Sequence, residues 1–356
     1  MTVSEVVGRL PDGSPVHAHT IGGADRPQLR VLDLGATVAS LHAFDPDPHG
    51  ERPNLVLGHR DVGGYLRTPT PYLGATVGRF ANRIAGARFE LAGVVHRLAP
   101  NEGDTCLHGG PGGFHSRVWT VTDLGPDRIT LELVSEDGDQ GFPGELTASV
   151  TYTVTGAAVH VDLRATTTAT TVVNLTNHTY WNLAGEGSGS VDGHRLTVDA
   201  AHYLPVDSQG IPLDGAEPVD GTPLDLRRGE ALGACARRSH PQTEAVRGID
   251  HCLVLDGGGL RRAARLEEPR SGRHLEVHTD QPGLQVYTGN HLDGTVLGTS
   301  GRWYRQGDGV ALETQNPPDA PNRSWARSAV LDPGSEYLSR TQWRLGQDPP
   351  SVEEGP

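Results

Sequence analysis

ELTASVTYTVTGAAVHVDLRATTT (Glu145–Thr168) is the stretch whose reading decides the fold. Apolar and polar residues alternate along it on both sides of Gly156. That is the period of a strand with one buried face, and glycine between two such runs is a turn signal. RITLELVSED (Arg128–Asp137), RHLEVHTD (Arg273–Asp280), GLQVYTGNHL (Gly283–Leu292) and GVALETQ (Gly309–Gln315) follow the same style, separated by Gly, Pro, Asp and Asn clusters. QLRVLDLGATVASLHAF (Gln28–Phe44) alternates and breaks at Gly35, and ARFELAGVVHRLA (Ala87–Ala99) reads as a hairpin around Ala92-Gly93. Few segments keep a helical period for three turns, and RRGEALGACARR (Arg227–Arg238) is the best short candidate. The expectation is an all-β protein, a large antiparallel β-sandwich with few short helices. No linker or fixed-period repeat divides the chain, so residues 1–346 are expected to form a single domain. Residues 347–356, polar and proline-rich, are expected to be a disordered tail.

Composition narrows the function classes. Hydrophobic residues make up 35% of 356 residues, with 47 glycines and 26 prolines, which suits a loop-rich β protein. A formal charge of −14 repels nucleic acid and anionic membranes, so neither is expected as a partner. There is no lysine, so all 30 basic residues are arginines. This excludes a lysine Schiff base and the phosphate-cradling loop that needs one. Cys106, Cys235 and Cys252 are too few for a disulfide framework in so long a chain. The opening MTVSEVVGRLPDG lacks the basic and apolar parts of a secretory signal, and no apolar run nears the roughly 18 residues of a membrane helix. A soluble, reduced, cytoplasmic protein is expected.

Several constellations are candidates for chemistry. In NLTNHTYWNLAG (Asn174–Gly185), read as a strand, Asn174, Thr176, His178, Tyr180 and Asn182 share one face. That face is nearly all hydrogen-bonding groups with one aromatic platform. It is either solvated or holds something polar, and a lone strand histidine is more often a surface or satisfied core residue. Glu313 interrupts an apolar strand pattern in GVALETQNPPDAPNR (Gly309–Arg323). A buried carboxyl costs several kcal/mol unless partnered, yet burial raises its pKa toward that of a useful base. An exposed edge-strand glutamate is the plainer alternative.

In GATVGRFANRIAG (Gly74–Gly86), Arg79 and Arg83 would share a face if the segment were extended, with Asn82 between them. Arginine offers fixed donors to an oxygen-rich ligand, though surface solubility is its commoner role. NEGDTCLHGGPGGFH (Asn101–His115) has glycines that would let backbone approach a ligand, with His108 at its lip. Asp250 precedes a strand in RGIDHCLVL (Arg247–Leu255), where a turn or cap role is the ordinary one. Gln285 and Tyr287 share a face in PGLQVYTGNHL (Pro282–Leu292) and suit sugar hydroxyls or an ordinary surface. Cys106-x-His108 and His251-Cys252 are the close metal-type pairs; neither has zinc spacing, so no metal is expected. No G-x-S-x-G elbow appears.

Together these segments resemble the aldose 1-epimerases, or galactose mutarotases. The resemblance covers nearly the whole chain in order: LGATVASL, LVLG, YLGATVGRFANRIAGARFEL, LHGGPGGF, GFPGEL, LTNHTYWNLAG, LPVDSQGIP, GTPLDLR, IDH, PGLQVYTGN and ALETQNPPDAPNR. It implies a β-supersandwich with an open sugar cleft, a monosaccharide substrate and no metal or organic cofactor. By the resemblance, the ring-opening acid falls on His178 and the base on Glu313. Substrate-binding positions fall on Asn82, Arg83, His108, Asp250 and Gln285, with Arg83 rather than Arg79 matching the family's Asn-Arg pair. Two positions depart. Ile249 stands where the family usually has an aromatic residue, and Leu292 where phenylalanine is common, so the cleft wall is expected to differ. The expected reaction is α/β anomer interconversion of a free aldohexose by a monomer or homodimer. Rival readings are a hexose-6-phosphate epimerase of the same fold, a glycoside hydrolase using Asp250 and Glu313, and a non-catalytic sugar-binding module.

Overall fold

A computed structural model describes residues 3–23, 25–42, 50 and 52–349. Its backbone is a nine-stranded antiparallel sheet facing a six-stranded one, with a four-stranded sheet alongside. Glu145–Thr168 forms the heart of the larger sheet, as its alternation dictates. Leu146–Thr155 and Ala158–Thr167 pair without a register break, from Leu146 opposite Thr167 to Thr155 opposite Ala158. The six-stranded sheet runs Tyr180–Trp181, Val310–Gln315, Gly283–Tyr287, Asp250–Val254, His202–Tyr203, Glu217–Pro218. Three short α-helices, Val62–Arg67, Leu232–Arg237 and Pro241–Val246, lie among the described residues. The second falls inside the expected Arg227–Arg238 segment. The Arg88–Leu91 and Val94–Arg97 hairpin turns at Ala92-Gly93 as expected.

In the six-stranded sheet Gly283–Tyr287 and Val310–Gln315 are buried on both faces, which is why these strands do not alternate in exposure. Leu284, Val286, Val310 and Leu312 join one core cluster with Val150, Val161 and Leu163 of the large sheet. Each such Val or Leu contributes roughly 1.5–3 kcal/mol of apolar burial. The opposite face, carrying Gln285, Tyr287, Ala311 and Glu313, turns away from that core. Register sets it: Gln285 lies opposite Glu313, and Tyr287 opposite both Ala311 and Asp250.

Asn174–Gly185 is not one strand. Thr176–Asn177 pairs with Thr76–Val77, and Tyr180–Trp181 pairs with Val310–Ala311. Asn177 makes the break between them. Its Oδ1 accepts from the backbone N and the hydroxyl of Thr179, and its Nδ2 donates to Gly74 O and the Tyr152 hydroxyl. The apolar face survives the break, since Leu175, Trp181 and Leu183 all enter the core. At the far end, Tyr337–Gln347 carries the fold one residue past the expected domain limit, and Asp348 pairs with Arg265. The rest of the expected tail, residues 350–356, lies outside the described residues.

Candidate active site

His178 projects from the kink between the two short strands. Its backbone is pinned on both sides: His178 N donates to Ala75 O at 2.8 Å, and its carbonyl accepts from Gly74 N at 2.9 Å. Glu313 comes from Val310–Gln315, the strand flanked in the six-stranded sheet by Tyr180–Trp181 and Gly283–Tyr287. The pairing of Tyr180 with Ala311 fixes the distance between the two chain segments, two residues from each group. Imidazole Nε2 and carboxylate Oε1 thereby meet at 3.5 Å. Both side chains are almost fully buried, at 5% and 2% exposure. Burial pushes the His178 imidazole down to about 4. Burial, reinforced by the Asp250 charge and opposed by Arg83, holds the Glu313 carboxyl well above the usual range. His178 Nδ1 and Glu313 Oε2 have no protein partner.

These two groups form the floor of a cleft of about 280 Å³. Its walls include Asn82, Arg83, His108 and Asp250, so six of the seven residues singled out from sequence line one space. Gln285 does not. It sits behind Asp250, donating Nε2 to Asp250 Oδ1 at 2.6 Å. Asn82 is in the left-handed region at φ 66, stabilised by its own side chain, whose Oδ1 accepts from Arg83 N. This bends the chain so that Arg83 enters the cleft and Arg79 does not. Arg79 is buried elsewhere, donating to the carbonyls of Ser135, Glu136, Pro143 and Gly144. Both the shared-face reading and the surface reading of Arg79 are corrected by this burial.

Arg83 has few donors to spare. Its Nε and Nη2 donate to Glu102 at 2.6 and 2.9 Å, and Nη1 lies 3.7 Å from Asp250. Burial would lower its pKa, but these two carboxylates override that and hold it above the ordinary value. His108 stands in the left-handed region at φ 50. Its Nδ1 accepts from Asn82 N at 3.1 Å, which places the proton of the neutral ring on Nε2. Burial, then the neighbouring His178 and Arg83, keeps that ring neutral. His108, His178 and Glu313 offer atoms within 4.8 Å of one another, a spacing that a metal ion would accept. The His108 tautomer argues against that use, because Nε2 presents a hydrogen rather than a lone pair.

Other polar residues of the sequence motifs serve the backbone instead. Asn174 Nδ2 donates to Ala81 O and Asn316 O, Thr176 to Thr314 O, and Asn182 to Gly189 O and Asp308 O. Of the polar face read from sequence, His178 and Tyr180 reach the cleft. Four of the five glycines of Asn101–His115, all but Gly103, pack against protein. A Cβ on Gly109 would lie 2.0 Å from Gly78 O, and one on Gly113 2.6 Å from His108 O. Ile249 is buried in the main core, so of the two departures Leu292 alone lines the cleft.

Sequence reading passed over Tyr72 and Glu102, both of which line the cleft. Tyr72 packs its ring 4.5 Å from His108 and 5.8 Å from His178. With Tyr180 at 5.0 Å and Tyr287 at 6.5 Å, aromatic rings surround the imidazole. Tyr72 opens the YLGATVGRF stretch and Glu102 sits in the glycine-rich loop, so position within those motifs was the available signal.

The aldose 1-epimerase family model matches residues 18–344. The chain is 42% identical over 339 residues to a galactose mutarotase of Rattus norvegicus, covering 95% of this chain and 96% of the relative. It is 37% identical over 349 residues to an aldose 1-epimerase of Escherichia coli strain K12, covering 96% and 99%. The solved aldose epimerase homologue from C. elegans superposes with a TM-score of 0.86 at 28% identity, covering 98% of this chain and 100% of that one. A β-supersandwich carrying this cleft, together with matches along nearly its whole length, places the chain in the aldose 1-epimerase family.

Proposed function

We propose that this protein interconverts the α and β anomers of free aldohexoses such as glucose and galactose, without metal or organic cofactor. Anomer exchange needs one proton removed from the C1 hydroxyl and one delivered to the ring oxygen. The ring opens to the aldehyde, C1–C2 rotates, and closure reverses both transfers. Glu313 is assigned as the base at O1 and His178 as the acid at the ring oxygen. The observation that carries this reading is the 3.5 Å approach of His178 Nε2 to Glu313 Oε1 at the floor of a cleft lined by both aromatic and hydrogen-bonding side chains.

Between them the two groups hold one proton. Burial disfavours the charged form of each group, lowering the imidazole and raising the carboxyl, and so favours leaving the proton on the carboxyl. A sugar hydroxyl donating to the carboxylate, with the Arg83 charge nearby, favours moving it to the imidazole, which is the arrangement that can act on a ring oxygen. His108 Nε2–H is assigned as a donor to a sugar oxygen, and Asn82, Arg83 and Asp250 as its orienting groups. Gln285 acts through Asp250.

Alternative substrates fit less well. Arg83 is the one arginine among the cleft-lining residues described, and it is already committed to two carboxylates. A phosphate needs donors that are not so engaged. Hydrolysis needs a second carboxyl free to exchange a proton, whereas Asp250 is held by Gln285 and Arg83. No described helix is long and apolar enough to cross a membrane. A cytoplasmic location belongs to the same proposal, supported by the buried free thiols of Cys106, Cys235 and Cys252. Polarimetry of freshly dissolved α-glucose and α-galactose tests the proposal. Rotation should drift to equilibrium faster with enzyme, and an unchanged rate on both sugars would refute it. Release of nitrophenol from a nitrophenyl galactoside would favour hydrolysis instead.

A further inference from the structure

The lip of the cleft carries a charge that the proposed reaction does not use. Glu102 sits in a tight turn where its backbone N and O both bond to Thr105. Its carboxylate lines the cleft and is 41% exposed. It grips Arg83 in a two-point contact, through Nε at 2.6 Å and Nη2 at 2.9 Å. Arg83 cannot turn aside to share itself. On one side is Asp250, and on another the chain at Gly210, where an added Cβ would stand 2.8 Å from Nη1. Gly210 is at φ +74, a conformation that also favours glycine.

The sum over Arg83, Glu102 and Asp250 is one net negative charge. Without Glu102, the same arginine would present a planar pair of donors into the cleft, the geometry that binds carboxylates and phosphates. We propose that Glu102 is a specificity-determining residue that restricts this cleft to uncharged sugars. It does so by occupying the guanidinium fork and adding repulsion at the entrance. This inference rests on the mutarotase reading of the same site, and names the substrate feature rejected there.

The test compares glucose with glucuronate, a sugar of similar size bearing a carboxylate, for wild type, Glu102→Gln, Glu102→Ala and Glu102→Asp. Removing one charge a few ångströms from an anion at a partly exposed site should raise the ratio of kcat/KM for glucuronate over glucose about tenfold or more. The Gln and Ala variants should both raise it, the Asp variant should stay near wild type, and added salt should shrink the gain. Calorimetric titration of glucuronate into the same proteins gives a readout that does not need turnover. Tighter binding to the Gln and Ala variants is expected. An unchanged ratio and unchanged binding, or an equal rise in the Asp variant, would overturn the proposal. A wild-type protein that fails to accelerate glucose mutarotation would refute the function instead, leaving the binding comparison to judge Glu102.

Discussion

Replacing Glu313 by Gln should remove activity and yet stabilise the protein, with a pH signature that only a buried carboxyl produces. The amide preserves shape and loses the proton acceptor. A positioned acid or base supplies about 10²–10⁴ in rate, so kcat should fall by at least ~10²-fold with folding intact. For stability the sign follows from proton counting. Unfolded, Glu313 titrates near 4.5; folded, it titrates well above that. Between those values the folded chain holds a proton that the unfolded chain releases, so wild-type stability declines as pH rises through this window. The slope is one proton, roughly 1.4 kcal/mol per pH unit. The Glu313→Gln protein has no such proton, so it should gain on wild type as pH rises above about 5, and the two should converge near the unfolded value of 4.5. Urea denaturation at several pH values measures the gain, and polarimetry measures the rate. Parallel stability curves would refute the buried, protonated carboxyl. Near-wild-type turnover would remove Glu313 from catalysis.

His178→Asn should lower kcat by a similar ~10²-fold or more while calorimetry still detects sugar binding; lost binding with retained kcat would make His178 a binding residue. The acid limb of kcat/KM should lie near pH 4, where the buried imidazole takes a proton although the carboxyl is already protonated, and not near 6.5 as for a solvated ring. Rates corrected for the uncatalysed reaction, measured from well below pH 4 to neutrality, decide between them. Arg79→Met should cost roughly 3–5 kcal/mol in urea denaturation, because four carbonyls, the buried ones of Ser135 and Gly144 among them, lose their donor. Its surviving folded fraction should keep a normal KM, since Arg79 lies outside the cleft.

Alternation was sufficient for the large sheet because each strand buries one face, and Leu146–Thr155 displays that directly. It was sufficient for Glu313 too, since a carboxyl in an apolar strand is conspicuous wherever it lies. It failed where polar residues answer to distant backbone. Thr176 is satisfied by the carbonyl of Thr314, and Asn182 by that of Asp308, more than a hundred residues away. Nothing local distinguishes such groups from sugar-binding ones. Arg79 and Arg83 likewise look equivalent at a spacing of four. The left-handed turn at Asn82 separates them, and its cause is an interaction of one side chain with the next backbone amide. Gln285 faces the right way but stands behind Asp250, a difference of depth that a two-faced strand reading does not contain.

The seclusion of His178 and Glu313 has a consequence for how turnover is supplied. On the assigned roles, each passage through the open aldehyde restores the proton inventory with which it began. The hydrogen lost at one oxygen is matched by one gained at the other, in either direction of reaction. Nothing need be drawn from or returned to bulk solvent, and the pair's burial keeps buffer ions from competing for the transfer. Such a catalyst is indifferent to buffer concentration and favours neither anomer, so it hastens equilibrium and leaves its position to the sugar.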